Sequence, residues 1–432
     1  MDVKGLEWSG RLSRRDLLRA GAVGAGALAL AACTKGGGGV AQAVTLNALF
    51  MQQAAYQTSD IKGMTDGFHK ANPNVNVNTT LVAYEALHDK IVAAAPAGTY
   101  DVVLIDVIWP PEFATKHEVL DVTDRFPSSW SSEIFPGAML TAEYQAKSYG
   151  VPWILDTKYF FYNKDMLSKV GFDSAPATWD DVVTAAKVLK SKGIVEFPLV
   201  WSWSQAEAVI CDYAQLLGAY DGKFLDDSGK PAFNTGGGLA ALEFMRKSLD
   251  DKITNPASTE SLEEDVRKIF SQGQAAMALN WTYMFALAND PKESQIVGKV
   301  AVAPTPSGPG GSAPSVNGSM ALSIAAGSKH PEAAWKYIEH MTSQKVQDQF
   351  AAHSLPIWKS SYDEPQVVST LPEVVAVAKT QLNNMILRPQ VPSYNEASAA
   401  LQLEIQNALT GAKTPKQALD DAAAAWEPLL QS

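Results

Sequence analysis

Apolar and polar positions along the first third of the chain mark out its elements in turn. Val44-Thr45-Leu46-Asn47-Ala48-Leu49-Phe50 predicts a strand, followed by a helix ending near Ala71-Asn72-Pro73. Val75-Asn76-Val77-Asn78-Thr79 alternates with period two, which predicts a second strand. A helix from Leu87 to Ala95 leads into Val102-Val103-Leu104-Ile105, a run flanked by Asp101 and Asp106. Unbroken apolarity of that length predicts a strand covered on both faces. Strand, helix, strand, helix, strand at this spacing predicts an α/β lobe with a largely parallel sheet. Asp106 falls at the carboxyl end of its strand, where open α/β sheets bind ligands.

Further on, Thr178-Trp179-Asp180-Asp181 reads as the cap of a helix running through Lys190. Asp265 to Ser271 predicts a helix, and Ala275-Met277-Leu279 a short strand leading to Asn280-Trp281-Thr282-Tyr283. Gly236-Gly237-Gly238 reads as a turn before a helix, and the stretch from Pro304 to Gly311 as a loop or crossover. The last hundred residues read as mostly helical, with Pro415 to Ala425 as the closing helix, and no internal repeat is visible.

The start of the chain changes the picture. Arg14-Arg15 precedes an apolar stretch from Ala20 to Ala32, which ends in Leu30-Ala31-Ala32-Cys33. A basic start, a short apolar region and a small-residue cleavage site make an export signal, here of the twin-arginine type. The stretch is shorter than the roughly 20 residues of a spanning helix. Residues 1–32 are therefore expected to be removed, with lipid attached at Cys33 and residues 33–43, including Gly36-Gly37-Gly38-Gly39, serving as a flexible tether. No later segment is apolar enough to span a bilayer, so the body is expected to be soluble and held only at its start.

About 400 residues remain after cleavage, more than one hydrophobic core usually serves, so two lobes are expected. The precursor carries a net charge of −11. The leader holds five basic residues against three acidic ones, so its removal makes the chain more acidic still. Such a surface argues against nucleic acid and anionic lipid as partners. With Cys33 acylated, Cys211 stands alone and reads as a small buried apolar residue.

Motifs for chemistry are missing from the sequence. The histidines (69, 88, 117, 330, 340 and 353) include no pair spaced like a helical metal site, so neither metal nor cofactor is expected. There is no Gly-x-Ser-x-Gly elbow and no phosphate-binding Gly-x-x-x-x-Gly-Lys. The eleven tryptophans are more telling. Several stand beside polar groups, namely Trp109, Trp153, Trp201, Trp203, Trp281 and Trp358. A flat indole covers the C–H face of a sugar ring while carboxylates and amides bond its hydroxyl rim. Core packing is the commoner fate of any single tryptophan.

Several stretches in order resemble the extracellular solute-binding proteins of ABC importers, in their trehalose/maltose-type branch. They are Asn72-Pro73-Asn74-Val75, Tyr100-Asp101-Val102-Val103 with Asp106-Val107-Ile108-Trp109, Gly150-Val151-Pro152-Trp153 with Asp156, and Tyr162-Asn163-Lys164-Asp165-Met166-Leu167. Phe270-Ser271-Gln272-Gly273-Gln274-Ala275-Ala276-Met277 follows with Trp281 and Tyr283, then Pro331-Glu332-Ala333-Ala334-Trp335 and Arg388-Pro389. The resemblance implies two α/β lobes, each a mostly parallel sheet flanked by helices, with ligand in the cleft between them. Lobe 1 would comprise residues 44–154 and 304–343, and lobe 2 residues 155–303 and 344–432.

The resemblance also implies site residues. Asp106 and Asp156 would accept bonds from sugar hydroxyls, Trp281 and Tyr283 would stack, Arg388 would donate, and Gly318 would bring backbone close to the sugar. Gln53, Trp109, Trp201, Gln205, Glu207 and Ser319 would lie around them. Two departures stand out: Ser319 occupies a position where several relatives carry tryptophan, and the loop Met51–Tyr56 lacks an acidic residue found in some. The expectation is a monomeric, non-enzymatic, lipid-anchored receptor outside the cell membrane. It would pass a neutral di- or oligosaccharide to the transmembrane subunits of an ABC permease. A binding protein for a polyol or polyol phosphate, and an exported sugar hydrolase, are the alternatives.

Overall fold

The computed structural model describes residues 43–52 and 55–431. The leader, Cys33, the glycine tether and Gln53 lie outside the described residues. The larger sheets use, in chain order, β1 (Val44–Met51), β2 (Val75–Val82), β3 (Val102–Asp106), β4 (Val151–Ile154), β5 (Tyr159–Asn163), β6 (Leu199–Val200), β7 (Met277–Asn280), β8 (Val300–Ala303) and β9 (Met320–Ile324).

The first sheet has the order β2-β1-β3-β9-β4 and the second β8-β5-β7-β6. β1 is parallel to β2 and β3, whereas β9 lies antiparallel between β3 and β4. In the second sheet β5 runs antiparallel to both β8 and β7, and β7 is parallel to β6. Each sheet thus has one reversed strand among strands of common direction. That strand is the one by which the chain arrives from the other sheet: β5 on the outward passage and β9 on the return. The fold is mixed α/β, with a reversed strand inside each sheet that periodicity alone does not show.

Helices cover both sheets. Those used below are α1 (Thr58–Ala71), α2 (Tyr84–Ala94), α3 (Pro110–Thr115), α4 (Trp179–Ser191), α5 (Glu207–Ala219), α6 (Gly236–Asp250), α7 (Glu263–Ser271), α8 (Tyr283–Ala288), α9 (Pro331–Thr342), α10 (Tyr394–Leu409) and α11 (Pro415–Leu429). All five residues of β3 are buried, as its unbroken apolar run requires. α4 starts at the expected cap: Thr178 Oγ1 accepts from the Asp181 amide at 3.1 Å, and the Asp181 carboxylate accepts from the Thr178 amide at 3.2 Å. The triple glycine departs from the expected turn, because Gly236 to Gly238 form the first turn of α6 itself. A Cβ on Gly238 would stand 2.0 Å from the Phe233 carbonyl oxygen, so close backbone contact demands glycine there.

One apolar cluster centres on the first sheet with α1, α2 and α9, and two others lie on the faces of the second. The chain passes between the sheets at residues 155–158 and again at 304–319. No helix among the described residues is long and apolar enough to cross a membrane.

Candidate functional site

The carboxyl end of β3, the 155–158 crossing, the N-terminus of α5 and the stretch 281–283 converge on one cleft. Its free volume is about 820 Å³ with the open mouth included, within the usual range for small-molecule sites. Asp106, Asp156, Trp281, Tyr283, Gly318 and Arg388 all line it, although they are scattered over nearly 300 residues. Met51, Tyr84, Glu207, Cys211, Glu263 and Met320 complete much of the wall.

Arg388 is 2 % exposed and ties one side of the cleft to the other. Its Nη2 donates to Asp106 Oδ1 at 2.9 Å and to the Asn317 carbonyl at 3.3 Å, and its Nη1 donates to Glu207 Oε1 at 2.8 Å. Tyr84 Oη donates to the other Asp106 oxygen at 3.2 Å, and Tyr394 and Ser398 donate to Glu207. The one guanidinium on the wall among the described residues is thus already neutralised by two carboxylates. Beyond those two the wall carries Glu85, Asp156, Glu263 and Glu264, an acidic surround that repels anions.

Asp156 is bonded on one oxygen only. Its Oδ1 accepts from Thr282 Oγ1 at 2.7 Å, the Thr282 amide at 3.2 Å and the Thr157 amide at 2.9 Å. Oδ2 has no partner among the described residues, and the residue faces the cleft. Burial pushes this carboxyl up to about 7, against the pull of the Thr282 and Thr157 bonds. Burial likewise drives the Cys211 thiol up to about 12, so it meets the cleft as a neutral group.

Trp281 is held on several sides. Its amide donates to Asn280 Oδ1 at 2.8 Å and its Nε1 to Glu263 Oε1 at 3.3 Å. A Cβ on Gly318 would stand 2.4 Å from Cζ3 of the ring, so only glycine lets the indole lie against that backbone. The fully buried Lys158 places its ammonium 5.1 Å from the ring centroid. That ammonium donates to Asp212 Oδ1 at 2.6 Å and Ser202 Oγ at 2.8 Å, and lies 3.5 Å from Glu263. Burial alone would pull the Lys158 pKa down, but Asp212 and Glu263 outweigh it and the lysine stays charged.

Residues 46–348 match the family of bacterial extracellular solute-binding proteins. The chain belongs to that family. The maltose-bound MalE3 of T. maritima is 32% identical with a TM-score of 0.83, covering 88% of this chain and 98% of that one. A Thermotoga lettingae ABC transporter solute-binding protein bound to α-D-tagatose is 27% identical, with a TM-score of 0.81 over 90% of this chain and all of that one. A probable ABC transporter-binding protein of Deinococcus radiodurans is 27% identical over 335 residues, 75% of this chain and 79% of that protein. The protein therefore has the two-lobed fold of these receptors and is the solute-binding component of an ABC transporter. It works outside the cytoplasm, in a family of binding proteins rather than enzymes.

Several nominated residues stand away from the cleft wall of this solute-binding protein. Trp109 is buried behind the wall, stacked on Tyr84 with ring centroids 5.9 Å apart. Trp201 lies in the core of the second sheet, stacked on Trp203 at 5.0 Å, with Nε1 bonded to Thr254. Gln205 is exposed outside the wall, just before α5. Ser319 is fully buried and ties down the crossing, its Oγ accepting from the Asp156 amide at 3.2 Å and donating to the Asp156 carbonyl at 3.3 Å. Gly318 serves the indole through its missing side chain. Glu207 is on the wall, bound to Arg388.

Sequence reasoning missed Tyr84, Glu263, Lys158 and Asp212. Two of these left a signal. Asp212 is the one acid in the stretch of α5 from Ala208 to Ala219, all of which is buried. Lys158 interrupts two apolar strands four residues apart. A buried charge of either sign calls for a partner, and each is the other's.

Proposed function

We propose that this receptor captures a neutral di- or oligosaccharide between its lobes and passes it unaltered to the permease, while lipid on Cys33 holds it at the outer face of the cell membrane. The observation that carries this reading is the pairing of a fixed indole face with the unpartnered Oδ2 of the buried Asp156 on the same cleft. Together they offer an apolar plate for C–H groups and a strong acceptor for a hydroxyl. The neutralised Arg388 and the surrounding carboxylates favour an uncharged polyhydroxylated guest over a phosphorylated one. The maltose carried by the 32%-identical T. maritima structure supports the same class.

A thermal-shift screen of the protein lacking residues 1–32, against neutral sugars, polyols and sugar phosphates, tests the reading, because a ligand that binds only the folded state raises its apparent stability. A neutral di- or oligosaccharide should give the largest shift and be recovered intact. A shift confined to polyols or sugar phosphates would overturn the ligand class, and released monosaccharide would overturn the receptor reading. For the anchor, Cys33→Ser should move the exported protein from the membrane fraction to the supernatant.

A further inference from the structure

We propose that Lys158 is a positioning residue for the ligand: its sealed ammonium holds the Trp281 indole at the angle at which a sugar face meets it. This rests on the sugar-binding reading of the cleft and goes beyond it, because Lys158 itself is fully buried and off the cleft wall. A buried ion pair is seldom kept for stability alone, since the cost of desolvating both ions offsets most of their attraction. This one makes directional contacts at both ends. Lys158 binds Asp212 in α5 and reaches Glu263 at the start of α7, the same carboxylate that accepts from the indole Nε1. Its charge also lies over the ring, where the negative face of an aromatic system attracts a cation. Ring, carboxylate and ammonium therefore form a closed triangle, and Gly318, where a Cβ would stand 2.4 Å from the ring, lets backbone lie against its edge.

The placement along the chain gives the triangle a purpose. Asp156 and Lys158 stand two residues apart on the same crossing from β4 to β5. One short segment thus aims the free acceptor oxygen and anchors the apolar plate, fixing the distance between them. α5 joins the same unit at two points in its first two turns, because its first residue, Glu207, binds Arg388 and its sixth, Asp212, binds Lys158.

The test uses Lys158→Met combined with Asp212→Asn, which removes both charges of the fully buried pair and leaves Glu263, on the cleft wall, as the carboxylate without its cation. Lys158→Met alone serves as the strained comparison. In the ligand-free protein, the ¹⁵N-indole NMR signal of Trp281, assigned through Trp281→Phe, should shift or broaden in the double variant while the tryptophan signals other than those of Trp201 and Trp203, which flank Ser202 beside the substituted pair, stay in place. With maltose as probe, calorimetry should show about a tenfold loss of affinity in the double variant. Trp281→Phe should then cost about tenfold in the wild-type background and little in the double variant, because two residues that act as a unit are not additive. An unmoved Trp281 signal, or full additivity, would overturn the proposal. If no sugar of the thermal-shift screen binds the wild-type protein, the sugar reading falls while the ligand-free spectrum still decides whether Lys158 places the ring.

Discussion

Replacing Asp156 by asparagine isolates the cost of keeping an unpaired carboxyl in the cleft. The substitution preserves shape and keeps an oxygen to accept from Thr282 and Thr157, but removes the titration. Burial raises the folded-state pKa from 3.8 to about 7. The folded protein therefore binds this proton more tightly than the unfolded chain, and stability falls as pH rises from the unfolded value through the folded one. A shift of about three units is worth about 4 kcal/mol when the titration is complete. About 1.5 kcal/mol of that is already lost by pH 5, because the unfolded chain is then largely ionised. The asparagine variant should accordingly gain about 2.5 kcal/mol on the wild type between pH 5 and pH 8 without ligand, read as the difference between their denaturation midpoints across that range.

Binding should move the opposite way. An ionised acceptor bonds a hydroxyl more strongly than a neutral one, so wild-type affinity should rise from pH 5 to pH 8 while that of the variant stays flat and is about tenfold weaker at pH 8. Parallel stability curves for the two proteins, or equal affinity at pH 8, would refute the argument.

Other substitutions separate the site from its surroundings. Gly318→Ala forces a methyl group into the Trp281 ring, so calorimetry should show affinity falling about tenfold with little change in Tm. Arg388→Met strands Asp106 and Glu207 without their cation, and chemical denaturation should show a loss of about 3–5 kcal/mol, partly restored by Glu207→Gln. Trp201→Phe loosens a stack in the core of the second sheet, so stability should drop by about 1–3 kcal/mol while maltose affinity stays within about threefold. A larger loss of affinity would return Trp201 to the site.

Local pattern determined much of this protein. The period of Val75 to Thr79, the sealed run ending at Asp106 and the Thr178 cap depend on interactions within a few residues, and each occurs as the sequence implies. Resemblance to the solute-binding family added the six principal cleft residues, all of which the structure brings to one wall. What the sequence could not give is whatever depends on direction in space. Trp201 and Trp281 both stand beside polar groups in the sequence, yet one, just past β6, stacks inside the core and the other, just past β7, faces the cleft, a difference set by what packs around each strand end.

Arg388 reads as a free donor until folding sets Asp106 on one side of it and Glu207 on the other. The pairing of Lys158 with Asp212 spans 54 residues, from a crossing to the middle of a helix, so neither charge announces its partner. Residue type and spacing decide which segments form helices and strands, because those bonds close within a turn or a neighbouring strand. The cleft is decided by which distant groups share a space without water, and that is fixed only when the two sheets are joined by their crossings.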